Sequence, residues 1–209
     1  MKIRPLMSLI LVSSLVLLSS LFGVTAQEGE PGGEGPVQQL ADQQQQVQNG
    51  VTLLGRVGDP AYAAAVQGQY AYVGVGSRLM VFDLSGGAIT LVGQTGVLSG
   101  TVLSVAVSGN YAYTTELNEG LRVIDVTTPT SLAPVSFYDT PGEALGVSVA
   151  GDTAYVADGY SGLRVISVTM PITPTEVGFL DTDGSAEGVV ITGTHAYVAD
   201  GDSGLQVID

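Results

Sequence analysis

The sequence has no cysteine, no tryptophan and a single histidine, His195. Without cysteine there is neither a disulfide framework nor a thiolate metal site, so a folded domain here must rest on a packed core. The 45% hydrophobic content is enough to supply one. Positive charge is also scarce, with six Lys and Arg against 20 acidic residues and a formal net charge of −14. Such a surface repels phosphate backbones and anionic lipid heads, which argues against nucleic acid as a partner. Nucleophilic catalysis lacks its usual parts as well. No Gly-x-Ser-x-Gly elbow occurs, and there is no second histidine to serve as a base.

There is one long apolar run. Lys2 and Arg4 precede Leu6 to Phe22, and the small residues of Val24-Thr25-Ala26 follow. That order predicts a secretory signal over residues 1–26, cleaved after Ala26, and hence a secreted or cell-surface protein with no membrane insertion after cleavage. The alternative is an uncleaved anchor, for which an apolar stretch of about 17 residues is at the short limit. No cysteine follows the run, so lipid attachment at a lipobox is excluded. Cleavage removes Lys2 and Arg4 and leaves Arg56, Arg78, Arg122 and Arg164 as the remaining cations. Residues 27–50, rich in Gln, Gly and Pro, read as a flexible linker.

From residue 51 the chain repeats. Leu79-Met80-Val81-Phe82-Asp83, Leu121-Arg122-Val123-Ile124-Asp125, Leu163-Arg164-Val165-Ile166-Ser167 and Leu205-Gln206-Val207-Ile208-Asp209 recur every 42 residues. A second signature runs upstream through Tyr72, Tyr113, Tyr155 and Tyr197. Short β-branched or aromatic segments alternate with Gly, Pro, Asp or Asn, which marks four strands per period. In the third copy these are a (145–149), b (153–157), c (163–168) and d (175–180). No segment keeps a 3.6-residue apolar period, so a helical solenoid is excluded. The prediction is all-β: a β-propeller of four-stranded blades over 61–95, 102–140, 144–182 and an incomplete 186–209, preceded by a strand d at 51–57. Strand a alternates small residues (Ala63, Ala65, Ser104, Ala106, Gly146, Ser148) with Ala64, Val66, Val105, Val107, Val147 and Val149, as crowding near a central axis requires.

The Leu-x-Val-Ile-Asp segment after Ala-Tyr-Val-Ala-Asp-Gly resembles the LVIVD-repeat family of exported bacterial and archaeal proteins. The resemblance covers about residues 51–209. It implies a propeller module on an exported protein and brings no defined activity.

The strand order opens on d and closes on c. It favours the front part of a longer array over a four-bladed ring closed by 51–57, and an open arc of this kind is expected to aggregate through its bare blade face.

His195 begins a strand b and aligns with Tyr70, Tyr111 and Thr153, a variable position with no implied role. Asp83, Asp125 and Asp209 end strand c and are expected to cap the following turn through backbone N–H groups. The four recurrent tyrosines are expected to pack between blades with hydrogen-bonded hydroxyls. The b–c and d–a connections share one face and carry most of the acid: Asp59, Glu116, Glu119, Asp139, Glu143, Asp158, Asp181, Asp183, Glu187, Asp200 and Asp202. Asp158, Asp181, Asp183, Asp200 and Asp202 are the candidate ligands for a hard cation such as Ca²⁺. Asp-Gly is equally the chemistry of a hairpin turn. The reading that follows is a non-catalytic binding or scaffold module, engaging protein or polysaccharide at the acidic loop face. The alternative is an extracellular hydrolase or lyase with its site at the channel mouth or in a further domain.

Overall fold

The computed structural model describes residues 47–48, 51–52, 60–86 and 88–209. The expected signal and most of the expected linker lie outside them. Val47–Gln48 (β1) and Val51–Thr52 (β2) pair antiparallel with each other. A short hairpin thus stands where linker and strand d were expected to meet, and residues 53–59 are again outside the described residues.

From residue 60 the chain is all-β and follows the expected period. The first blade contains β3 (Ala61–Gln67), β4 (Tyr70–Val75), β5 (Arg78–Asp83) and β6 (Thr90–Gln94). The second contains β7 (Val102–Ser108), β8 (Tyr111–Glu116), β9 (Gly120–Asp125) and β10 (Ala133–Tyr138). The third contains β11 (Gly146–Ala150), β12 (Thr153–Ala157), β13 (Leu163–Ser167) and β14 (Thr175–Leu180). The last contains β15 (Gly188–Thr192), β16 (His195–Ala199) and β17 (Leu205–Ile208), with a one-turn 3₁₀ segment at Gly201–Ser203. Each blade is an antiparallel meander in sequence order. Its a–b turn is a two-residue loop whose first residue is glycine at φ between +57° (Gly151) and +61° (Gly193). That geometry matches the twist of the flanking strands, and an L residue rarely adopts it.

Two faces of each sheet do different jobs. Tyr72, Leu79 and Val81 form the forward face of the first blade and are buried against Val105, Ala112 and Ile124, the rear face of the second. Tyr113, Leu121 and Val123 meet Val147, Ala154, Val156 and Ile166 in the same way. Ala157 and Leu163 meet Val189, Ala196 and Val198. Each fully buried Leu or Val is worth ~1.5–3 kcal/mol relative to exposure, so these joints are the core of the fold. The innermost strands carry them, with β3 on β7, β7 on β11 and β11 on β15. A Cβ on Gly146 would stand 3.0 Å from Cα of Gly188, which is why strand a needs small residues there. At the rim, a Cβ on Gly93 would stand 2.1 Å from the Pro129 carbonyl oxygen of the next blade. The Ser136 hydroxyl donates to the Pro171 carbonyl at 2.5 Å in the corresponding place one joint on.

The tyrosines pack as expected in three blades: Tyr72 and Tyr113 are buried, and Tyr155 lies against the third joint. Burial raises the pKa of the Tyr72 and Tyr113 hydroxyls. The expected hydroxyl partner is missing: among the described residues neither hydroxyl takes part in a hydrogen bond. Tyr197 departs further, being 36% exposed, since among the described residues no blade packs against it.

Candidate functional site

The b–c and d–a connections emerge together, as the topology demands, but their acids fall into two layers. Glu116 ends strand b of the second blade, Asp158 and Asp200 directly follow strand b of the next two, and all three are fully buried. Each reaches the d–a connection that enters its own blade. The Glu116 carboxylate accepts from Gly100 N at 3.0 Å. Asp158 accepts from Thr140 Oγ1 at 2.6 Å and from Gly142 N at 2.8 Å. Asp200 repeats this with Thr182 Oγ1 at 2.5 Å and Gly184 N at 3.0 Å. The local turn aims them there, since Ser161 N donates to the Asp158 carbonyl and Ser203 N to that of Asp200. Glycine is required opposite, because a Cβ on Gly142 would stand 2.2 Å from the Asp158 carbonyl oxygen and one on Gly184 2.1 Å from that of Asp200. The first blade has the apolar Val75 at the aligned position.

Buried carboxylates need compensation. Arg122 gives Glu116 a two-pronged partner through Nε and Nη2, and lies 5.7 Å from the Phe137 ring centroid. Arg164 stands 3.8 Å from Asp158, 3.2 Å from Asp181 and 3.9 Å from Glu176, and lies 4.7 Å from the Phe179 ring centroid. In the last blade Gln206 replaces the cation and donates to Asp200 at 3.4 Å. For Asp158 burial outweighs the opposing pulls of Thr140, Gly142 and Arg164, and the pKa is raised.

The five aspartates taken as cation ligands are not brought together. Asp158 and Asp200 serve different blades, and their oxygens already accept hydrogen bonds. Asp181 is exposed and shares the Arg164 guanidinium with Asp158. Asp183 and Asp202 are exposed. Among the described residues no group of three or more His, Cys, Asp or Glu is arranged to hold a metal ion. The Asp158 and Asp200 carboxylates instead accept from threonine hydroxyls and backbone N–H groups.

The outer layer is open to solvent. Asp139, Glu143, Asp181, Asp183, Glu187 and Asp202 are exposed, Glu119 is half-buried, and Asp59 lies outside the described residues. Among these acids Tyr160 is 87% exposed on the b–c connection of the third blade, and Val97 on a d–a connection is 72% exposed. Tyr160 belongs to the Asp158-Gly159-Tyr160 segment, and its aligned positions in the neighbouring blades are Asn118 and Asp202. Two of the three expected strand c caps are present: Asp83 accepts from Ser85 N and Asp125 from Thr127 N, both at 2.8 Å. Hydrogen bonding by the Ser85 backbone and hydroxyl lowers the Asp83 pKa, and hydrogen bonding by the Thr127 hydroxyl and backbone lowers that of Asp125. His195 is exposed, and its Nδ1 meets the Thr194 hydroxyl at 3.2 Å.

Comparison with known proteins agrees with this architecture. The structure is similar to the computationally designed Ika4 protein, with a TM-score of 0.60 and 10% identity over 71% of this chain and 90% of that one. It is similar to the computationally designed Ika8 protein at the same TM-score and identity, spanning 45% of that longer chain. No curated protein matches the chain in sequence. The model of the LVIVD repeat matches four consecutive stretches, residues 60–92, 99–140, 141–182 and 183–209. With the motif, the period and the blades in agreement, the chain belongs to the LVIVD repeat family.

Proposed function

We propose that this protein is an exported, non-catalytic binding module that engages a basic protein surface through its acidic loop face. The observation that carries the reading is Tyr160, 87% exposed on a face whose structural acids are all buried. Tyrosine is favoured at the centre of protein interfaces, because one end packs and the other hydrogen-bonds. The carboxylates of Glu143, Glu187, Asp181 and Asp183 belong to neighbouring connections and favour a partner of opposite charge. The buried acids hold those connections in place, so the face is preorganised and little ordering entropy is lost on binding. Export rests on Lys2, Arg4, the apolar run to Phe22 and the small residues before Gln27.

Binding is tested by offering the chain immobilised Lys/Arg-rich peptides and, separately, neutral polysaccharides. The expected result is peptide binding that weakens with salt and falls about tenfold or more in Tyr160→Ala. Binding to polysaccharide alone, or peptide binding indifferent to Tyr160→Ala, contradicts the reading. Export is tested by fractionating expressing cells: mature protein beginning at Gln27 outside the cytosol supports it, and an intact N-terminus inside contradicts it.

A further inference from the structure

Strand d of the second and third blades runs out on one pattern, Phe137-Tyr138-Asp139-Thr140 and Phe179-Leu180-Asp181-Thr182. Both phenylalanines are open to solvent, at 58% and 60% exposure. Phe137 pairs across the sheet with Arg122 and Phe179 with Arg164, so each ring stands on the rear face of its blade beside an arginine. The blade on that side has all four strands in both cases, so these rings stay exposed next to a complete neighbour. In the first blade the equivalent cross-strand pair is Met80 and Gln94, and the sheet forms there without an aromatic ring. The inner layer fixes the pattern in register, because Thr140 donates to Asp158 and Thr182 to Asp200. Beside each ring lies surplus negative charge. Arg164 stands between three carboxylates, those of Asp158, Glu176 and Asp181, and the Asp181 side chain is 68% exposed. In the second blade Arg122 is paired with Glu116, while Asp139 is exposed.

We propose that the outer rim of the second and third blades docks a basic protein segment, each Phe receiving an apolar side chain and the Asp two residues on receiving a Lys or Arg. This rests on the basic partner of the acidic loop face and defines the form that partner takes. Strand d is the outer edge of each sheet, yet it is poorly suited to adding a strand. Pro134 has no N–H to offer, and the c–d ladder shifts register between Pro134 and Ser136 in one blade and between Val165 and Ile166 in the other. Such breaks blunt an edge against main-chain pairing, which leaves recognition to the side chains. Two residues of extended chain span about 6.5 Å, so apolar and basic residues two apart in the partner match Phe and Asp two apart on the rim. Covering the rings removes apolar surface from water, and the exposed carboxylates select the sign of what covers them.

Titration with two peptides of equal charge tests this: repeated Val-Ser-Lys-Ser, and the same peptide with Ser in place of Val. The first is expected to bind the protein about tenfold or more tighter than the second. Phe137→Gln combined with Phe179→Gln is expected to abolish that preference, and each single variant to reduce it. Glutamine is what the first blade carries at this position, so the double variant should keep the circular dichroism of the parent; if it does not, the single variants carry the test. Tyr160→Ala is expected to weaken both peptides alike and leave the preference in place. Peptides that bind equally well, or a preference that survives the double variant, overturn the rim surface and leave the reading of the acidic loop face standing. Failure of both peptides to bind at low salt overturns the two together.

Discussion

Asp200 and Asp202 stand two residues apart on one connection and belong to different regions of the loop face. Asp200 is fully buried, accepting hydrogen bonds from Thr182 and Gly184, while Asp202 is exposed. The same division runs through the neighbouring blades, with Glu116 and Asp158 beneath and Asp139, Glu143, Asp181 and Asp183 outside. Net charge alone makes this one acidic surface. Depth makes it two devices: an inner layer that fastens each blade to the connection arriving from the one before, and an outer layer free to meet a partner. The inner layer repeats with the period in the second, third and last blades, whereas the outer residues change from blade to blade. A scaffold holding constant what aims the loops, and varying what the loops present, has this pattern.

Removing an inner acid should break the distinction most severely. Glu116→Ala leaves the mostly buried Arg122 guanidinium and Gly100 N without their partner. It is expected to destabilise the protein by about 3–5 kcal/mol, readable as a shifted denaturant midpoint. The d–c approach in the third blade comes next. Gly162 sits at φ +74°, and a Cβ there would stand 2.2 Å from the Leu180 carbonyl oxygen, so Gly162→Ala is expected to cost about 1–3 kcal/mol in the same measurement.

Acidification separates Asp158 of the inner layer from the strand c caps in sign. Burial raises the Asp158 pKa above its unfolded value, so between the two values the folded state holds the proton that the unfolded state releases. The contribution of this group to stability therefore grows as pH falls through that window. Thermal melts should show wild type gaining on Asp158→Asn on acidification, and a gain in the other direction would refute the assignment. Asp83 and Asp125 act oppositely, their lowered values giving stability that is present above the unfolded pKa and lost as pH falls through the folded one. The smallest effect expected is that of calcium. With the inner carboxylates already bonded to N–H and O–H groups, millimolar Ca²⁺ should leave the melting temperature within about 1 °C, since only binding to the folded state raises it.

Much of the fold was legible because a propeller repeats its punctuation. Strand b of the third blade, Thr153–Ala157, falls where the alternation put it, and strand a begins one residue later than read. The turn caps at Asp83 and Asp125 were also legible, since an Asx turn is local chemistry. The inner acids were not. Asp158-Gly159 and Asp200-Gly201 look like ordinary hairpin turns, and the partner of each acid lies 16 residues upstream, in another connection. A signal was present all the same: Gly100, Gly142 and Gly184 recur at the acids' own period, and Thr140 and Thr182 stand two residues before the second and third of them. Leu163 and Leu205 are the same residue in equivalent strands, and their burial differs with whether a described blade packs against them.

The division of the loop face by depth is tested most directly by melting and binding Asp200→Ala and Asp202→Ala side by side. Asp200→Ala strands the Thr182 hydroxyl and Gly184 N and should lower the melting temperature by roughly 3–10 °C. Asp202→Ala should leave the melting temperature unchanged and weaken binding to the basic peptides. Equal melting temperatures for the two variants, or a loss of stability on removing Asp202, would contradict the account.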